Sequence, residues 1–248
     1  MSGARLGFFT RLLDAGTDGE RYRTALAQVR AAEQHGFASL WVAQHHFDRD
    51  EGGLPSPFPF LAAAAVQTER IALGTGIVTL PLDDPVRVSE DAAFVDALSD
   101  GRVQLGIGTG GTPGSFAAFD RSSEDRRRIQ AAHVAVLRDA FAGRGIRDTN
   151  SRLNPAAPHL GGRLWQATFS VEGGRRAGAD GDGLLLSRTQ PREEVSRCTR
   201  CRCRSSRRTS PPCPRASRRG SSPRGRRWWW MPRISTPRGA RPSPACGA

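Results

Sequence analysis

The segment Ile71-Ala-Leu-Gly-Thr-Gly-Ile-Val78 decides the fold. It is short, almost wholly apolar and broken by two glycines, the composition of a strand covered on both faces. Comparable runs begin at Leu6 (LGFF), Ser39 (SLWV) and Val103 (VQLGI), so successive starts lie 33, 32 and 32 residues apart. Stretches of helical period fill the gaps. Strands alternating with helices at this spacing are βαβ units of a parallel sheet.

The helical stretches carry their own signals. Tyr22, Ala25, Leu26, Val29 and Ala32 share one face, and Gly36 stands where a helix would end. The second helix is expected over Phe58 to Gln67, after a Pro-rich loop. Asp84-Pro85 opens the third with a capping carboxylate and a first-turn proline. That helix is expected to bury Ala92, Val95 and Leu98 and to end at Asp100-Gly101. Ser122 is the expected cap of a fourth, with Ile129, Ala132, His133, Val136, Leu137, Ala140 and Phe141 as its apolar stripe.

Residues 143–162 break the period and read as a surface insertion. The repeat then resumes, with a fifth strand over Leu164–Thr168, a short helix over Val171–Ala179 and a sixth strand over Gly183–Leu186. The expected fold is therefore α/β, a (β/α)₈ TIM-barrel-like domain over residues 1–192, incomplete at about six βα units. A closed barrel needs two further strands, and without them the sheet edges would be exposed and prone to aggregation.

The tail, residues 193–248, has a different composition. All 37 basic residues of the chain are Arg. Residues 1–194 hold 22 of them with all 24 acids, a net charge of −2. Residues 195–248 hold the other 15 Arg and no acid, so the overall +13 belongs to the tail. Nearly devoid of aliphatic residues, the tail cannot bury enough apolar surface to offset chain entropy and is expected to be disordered.

Three readings of the tail compete. Arg clusters beside Trp228-Trp229-Trp230 would suit nucleic acid. Cys198, Cys201, Cys203 and Cys213 offer four thiolates to a metal, but their spacing matches no paired arrangement and no His lies near. The third reading is a shifted reading frame, and the genetic code favours it over both. Trp and Met have single codons, so Trp228–Met231 is encoded TGG TGG TGG ATG. Read from the last base of each codon, these bases give Val-Val-Asp and then Ala, preceded by Leu, Val or Met, which is a buried strand.

All five cysteines lie in the tail, so the repeat region needs no disulfides. No apolar signal core opens the chain and no run of about 18 apolar residues spans a membrane. A cytoplasmic protein is the expectation, with no membrane partner and no metal.

In a parallel barrel the chemistry lies at the C-terminal ends of the strands. After the second strand come Gln44-His45-His46-Phe47, where a histidine can act as a base near neutral pH. A core imidazole satisfied by backbone is the plainer alternative. Adjacent side chains on an extended chain face opposite ways, so one histidine is expected in the mouth and one outside. After the third strand, Gly74-Thr75-Gly76 would let a planar ligand approach the backbone, or simply bend the barrel.

Gly106, Gly108 and Gly111 after the fourth strand fit a dinucleotide-binding pattern, but not its context, since Pro113 intervenes before the next helix. Residues 106–111, with Thr109 and Gly110, are expected to form a flexible loop at the mouth. Thr168 and Ser170 precede a short helix whose N–H groups would favour a phosphate, or Ser170 is an ordinary cap. Arg188 would add a cation to the same phosphate, or lie solvated. Glu90 and Asp91 read as structural ion-pair partners on different helix faces.

Gln44-His45-His46-Phe47, Gly74 to Pro81, Pro85-Val86-Arg87 with Glu90-Asp91, and Leu98 to Arg102 leading into Leu105 to Gly108 together resemble the bacterial luciferase-like monooxygenase family over residues 5 to about 192. The resemblance implies a (β/α)₈ barrel that binds reduced FMN, or in some branches the deazaflavin coenzyme. It implies oxidoreductase chemistry on a small organic substrate, by monooxygenation with O₂ or by dehydrogenation. It also implies a flavin reductase as supplier of reduced cofactor, and a homodimer in many members.

Carried over by position, His45 is the catalytic or flavin-side histidine, and Gln44 stands where luciferases have Glu. Thr75 and Gly76 would touch the isoalloxazine, often through a non-proline cis peptide. Thr168 and Ser170 would hold the phosphate. Thr109 and Gly110 stand near a position where luciferases carry Arg, a cation that Arg188 would replace.

Overall fold

The computed structural model describes residues 5–186 and 228–230. Among the described residues there are eight strands: β1 Arg5–Thr10, β2 Ser39–Val42, β3 Ala72–Thr75, β4 Val78–Thr79, β5 Val103–Gly108, β6 Leu164–Ala167, β7 Gly183–Leu185 and β8 Trp228–Trp230. They form one sheet in the order β7-β6-β5-β3-β2-β1-β8, with β4 continuing β3 along β5. Every pairing is parallel, with Phe9 opposite Trp41, Trp41 opposite Gly74 and Gly106 opposite Trp165. Six strands in sequence order, the first five each followed by a helix, make a parallel half-barrel, as the 32-residue repeat implies. β8 lies in the tail, where the sequence shows no strand period, and its backbone pairs with β1. The rest of the tail lies outside the described residues.

The helices are α1 Asp18–Gln34, α2 Pro57–Ala65, α3 Pro85–Leu98, α4 Pro113–Ala118, α5 Arg126–Phe141 and α6 Val171–Ala179. Thr17 and Glu20 form a capping box that starts α1. The Asp84 carboxylate accepts from the amides of Val86 and Arg87, with Pro85 in the first turn of α3. Ser170 accepts from the Gly173 amide and starts α6.

Two layers of apolar packing hold the sheet. On the outer face Leu40, Val42, Leu73, Leu105, Ile107 and Leu164 join one core with Ala25, Val29, Leu61, Ala92 and Leu137 of the helices. Each fully buried leucine contributes about 1.5–3 kcal/mol relative to an exposed one. On the inner face Trp41 and Trp165 meet edge to face at 5.4 Å. A Cβ on Gly74 would lie 2.4 Å from the Trp41 ring, so the strand beside this indole must carry glycine there.

Arg102 closes the N-terminal end of the sheet. Its guanidinium donates to the carbonyls of Ala65, Thr68 and Ile71, to the Thr68 hydroxyl and, through Nε, to the Ser99 carbonyl. It thereby caps α2 and ties it to the α3–β5 turn, where Asp100 and Gly101 take positive φ. The Leu98-to-Arg102 motif is thus part of the scaffold.

Several expectations need correction. Residues 113–118 are helical, where a loop was expected, because Pro113 occupies a first turn rather than breaking a helix. The next helix begins at Arg126; Ser122, four residues earlier, instead accepts from the Glu124 amide. Leu98 is exposed, and Ser99 and Asp96 take the buried positions. Residues 143–162 are no surface insertion: Ile146, Leu153, Ala157 and Leu160 enter the core around a cis Asn154–Pro155 bond. Among the described residues, no helix is long and apolar enough to cross a membrane.

Candidate active site

Past Val42 the Ala43 amide still reaches the Thr10 carbonyl at 3.2 Å, and the chain bends at Phe47. The amide of Gln44 reaches the Ile77 carbonyl at 3.4 Å, that of His45 the Leu54 carbonyl at 2.9 Å, and Phe47 has φ +63°. The alternation expected of an extended chain does not apply here, and both histidines face one cleft. The cleft opens to solvent and is lined by Gln44, His45, His46, Thr79, Leu82, Gly110, Gly111, Thr112, Ser115 and Phe116. It lies over the C-terminal ends of β2, β4 and β5, where a βα-barrel carries its chemistry.

Gln44 fixes the floor. Its Oε1 accepts from the Thr79 amide at 2.6 Å, and its Nε2 donates to the Pro55 carbonyl and to Asp83, both at 3.2 Å. A carboxylate here would have no N–H to offer Asp83. Asp83 thus gives the Gln44 amide a partner that a carboxylate would lack.

Burial pushes the His45 imidazole below the ordinary histidine value of 6.5, and the Arg11 guanidinium adds to this, against the opposing charges of Glu51 and Asp48. Nδ1 of His45 lies 3.6 Å from a Glu51 oxygen. Burial also lowers His46, with Asp83 opposing, and its Nε2 has no hydrogen-bond partner. The His46 ring meets Phe119 edge on at 4.9 Å. Burial thus favours the neutral form of both rings, each with a nitrogen able to accept a proton.

Thr75 and Gly76 lie at the junction of β3 and β4. The Gly76–Ile77 peptide is cis. The fully buried Thr75 hydroxyl donates to the Gly106 carbonyl at 2.7 Å and accepts from its amide at 2.8 Å. It takes the place of the ladder where the strand is interrupted. Any contact of Thr75 with a ligand would be through its backbone. Thr109 donates to the Gly110 carbonyl at 3.3 Å, and Gly110 holds φ +67° against the Thr79 side chain.

Thr168 and Ser170 stand together past the end of β6. Their hydroxyls are 3.3 Å apart, and the Ser170 amide donates to Thr168 at 3.0 Å. Both lie at the solvent-exposed start of α6 and line no part of the cleft. The structure thus joins Gln44, His45 and Gly110 in one cavity, with Thr109 beside it. Thr75 and Gly76 sit beneath it in the sheet, and Thr168 and Ser170 on a more distant rim. Arg188 lies outside the described residues. Arg87 pairs with both Glu90 and Asp91 at 3.0 Å, so these two acids are structural, but they share one partner rather than facing apart.

Thr79, Leu82, Glu51, Thr112, Ser115 and Phe116 belong to the site without having been singled out. Glu51 sits in a charged stretch that carries no motif, and residues 112–116 fall between the loop expected at 106–111 and the helix expected from Ser122. Among the described residues no group of three or more His, Cys, Asp or Glu is placed to hold a metal ion.

Residues 6–208 match the luciferase-like monooxygenase family. The chain is 38% identical over 111 residues to 4-hydroxyprotoasukamycin monooxygenase of Streptomyces nodosus subsp. asukaensis, covering 45% of this chain and 30% of that protein. It is 31% identical over 186 residues to the F420-dependent glucose-6-phosphate dehydrogenase of Beutenbergia cavernae, covering 69% and 54%. The fold resembles the oxygenating constituent of 3,6-diketocamphane monooxygenase of Pseudomonas putida, solved with FMN, at a TM-score of 0.72 and 16% identity, over 86% of this chain and 65% of that one. The chain spans about a third to a half of the curated relatives named here.

Proposed function

The chain belongs to the luciferase-like monooxygenase family, and we propose that it is a flavin-dependent oxidoreductase, a monooxygenase that uses reduced FMN and O₂ on a small organic substrate. The observation that carries this is the meeting of His45, Gln44, Thr79 and Gly110 in one cleft above the parallel strands. The residues fit a flavin. Burial favours the neutral form of His45 and His46, Gly111 leaves open space on one wall, and the hydroxyls of Thr168 and Ser170 stand together at the start of α6. Thr168 and Ser170 would hold the phosphate, and the Gly76 backbone would face the ring system.

Bound reduced flavin would supply the electrons that activate O₂. The chain's own part is to position and to move protons. Gln44 keeps the β2 and β4 ends at fixed spacing. His45, its neutral form favoured by burial, takes a proton from substrate or returns one to it. Phe116 and Leu82 exclude water from one side of the cleft. The named F420-dependent relative favours a second reading, a dehydrogenase using the deazaflavin coenzyme.

Titration of oxidised FMN into the full chain, followed by quenching of its fluorescence, tests the proposal. Saturable binding is expected, weakened about tenfold in Thr168→Ala/Ser170→Ala, the equivalent of roughly 1.4 kcal/mol. A chain that leaves the flavin signal unchanged overturns it, and quenching by the deazaflavin coenzyme alone selects the second reading.

A further inference from the structure

The loop that leaves the cleft, residues 48–54, is built to hold one carboxylate. The Asp48 side chain accepts from the amides of Asp50 and Glu51 at 2.9 and 3.2 Å, and its carbonyl accepts from the Gly52 amide at 3.2 Å. The loop is closed at its base by the His45 amide on the Leu54 carbonyl. Gly52 then lies directly against the imidazole: a Cβ there would stand 2.5 Å from Cδ2 of His45. No other residue allows this turn to pack on the ring.

The same oxygen of Glu51, Oε2, lies 3.6 Å from Nδ1 of His45 and accepts from the Thr112 hydroxyl at 3.1 Å. Thr112 belongs to the segment after β5, so this one atom joins two loops across the mouth with the imidazole between them. The geometry points to Glu51 as the positioning residue of His45, held in place by Thr112: it selects the orientation of the imidazole and stabilises its protonated form. This rests on the flavin-site reading for its role in turnover, but the coupling itself is a property of the apo chain.

The charges around His45 come from three directions. Arg11 on the β1 loop opposes protonation, Asp48 and Glu51 on its own loop favour it, and His46 adjoins it in sequence. Glu51 is the nearest carboxylate to the ring. Replacing it by the neutral Gln removes the attraction and leaves Arg11 and burial unopposed except by Asp48. The His45 midpoint must then fall.

Ring ¹H–¹⁵N NMR titration of the full chain reads this directly, with His45→Gln assigning the signal. Glu51→Gln is expected to move the His45 midpoint downward and Glu51→Asp to restore part of the shift. Thr112→Val, which keeps the carboxylate but releases it, is expected to move the midpoint in the same direction by less. A midpoint unmoved or raised in Glu51→Gln, in protein whose circular dichroism matches the parent, overturns the inference. So does a Thr112→Val protein identical to the parent. Adding FMN to the same samples separates the two readings. Failure to bind it counts against the flavin site and leaves a shifted midpoint standing as support for the coupling.

Discussion

The hydroxyl of Thr75 holds both backbone groups of Gly106, donating to its carbonyl at 2.7 Å and accepting from its amide at 2.8 Å. This one side chain bridges β3 and β5 where β3 is interrupted beneath the cleft. Valine has nearly the same shape but neither donates nor accepts. Thr75→Val therefore leaves two buried backbone groups unpaired, and a loss of about 2–3 kcal/mol is expected in urea unfolding. Thr75→Ser should recover most of it. A valine variant as stable as the parent would show that Gly106 finds other partners.

Gln44 offers an N–H to Asp83 at 3.2 Å. Gln44→Glu would set two carboxylates against each other in a buried position and remove the donor to the Pro55 carbonyl. The expected result is a stability loss of roughly 1–3 kcal/mol at pH 8 that shrinks toward pH 5, as one carboxyl takes up a proton. Paired denaturation curves at the two pH values check it. Gln44→Glu/Asp83→Asn should restore the lost stability.

His45 and His46 both lie below the ordinary value of 6.5 in the folded chain. The unfolded chain therefore binds more protons than the folded one just below pH 6.5, and stability rises with pH through that window. The contribution is complete above about pH 6.5 and is lost as the pH falls toward the folded values. The buried Asp182, raised from 3.8, acts in the opposite direction at lower pH. The contrast to measure is therefore the parent against His45→Gln/His46→Gln between pH 7.5 and 5.5. The parent should lose more stability than the variant over this range.

Arg102 makes five hydrogen bonds at the end of the sheet remote from the cleft. Lys keeps the charge but not the planar fork. Arg102→Lys is expected to cost about 2 kcal/mol of stability and to leave FMN affinity within about twofold of the parent. A large loss of affinity at full stability would place Arg102 in the site after all.

Much of the scaffold is legible because its period is strong. The runs at Leu6, Ser39, Ile71 and Val103 become β1, β2, β3 and β5, and Val171–Ala179 is a helix with the expected bounds. What escaped has physical causes. Residues 143–162 alternate glycine and proline with single apolar residues, so the burial of Ile146 and Leu160 leaves no period to find. The short helix at Pro113 has too few residues to show one. The two histidines line one cleft beside the bend at Phe47, and local propensity does not carry that arrangement. Glu51 carries no motif in the sequence, and its partners Thr112 and His45 are brought to it only by the packing of separate loops.

The central claim is that this rim of strand ends is a flavin cradle, and a crystal structure of the full chain grown with FMN tests it most directly. The account predicts ring density between His45 and the Gly76–Ile77 peptide, with the phosphate reaching Thr168 and Ser170. Flavin density elsewhere on the chain, or none at saturating FMN, would contradict it.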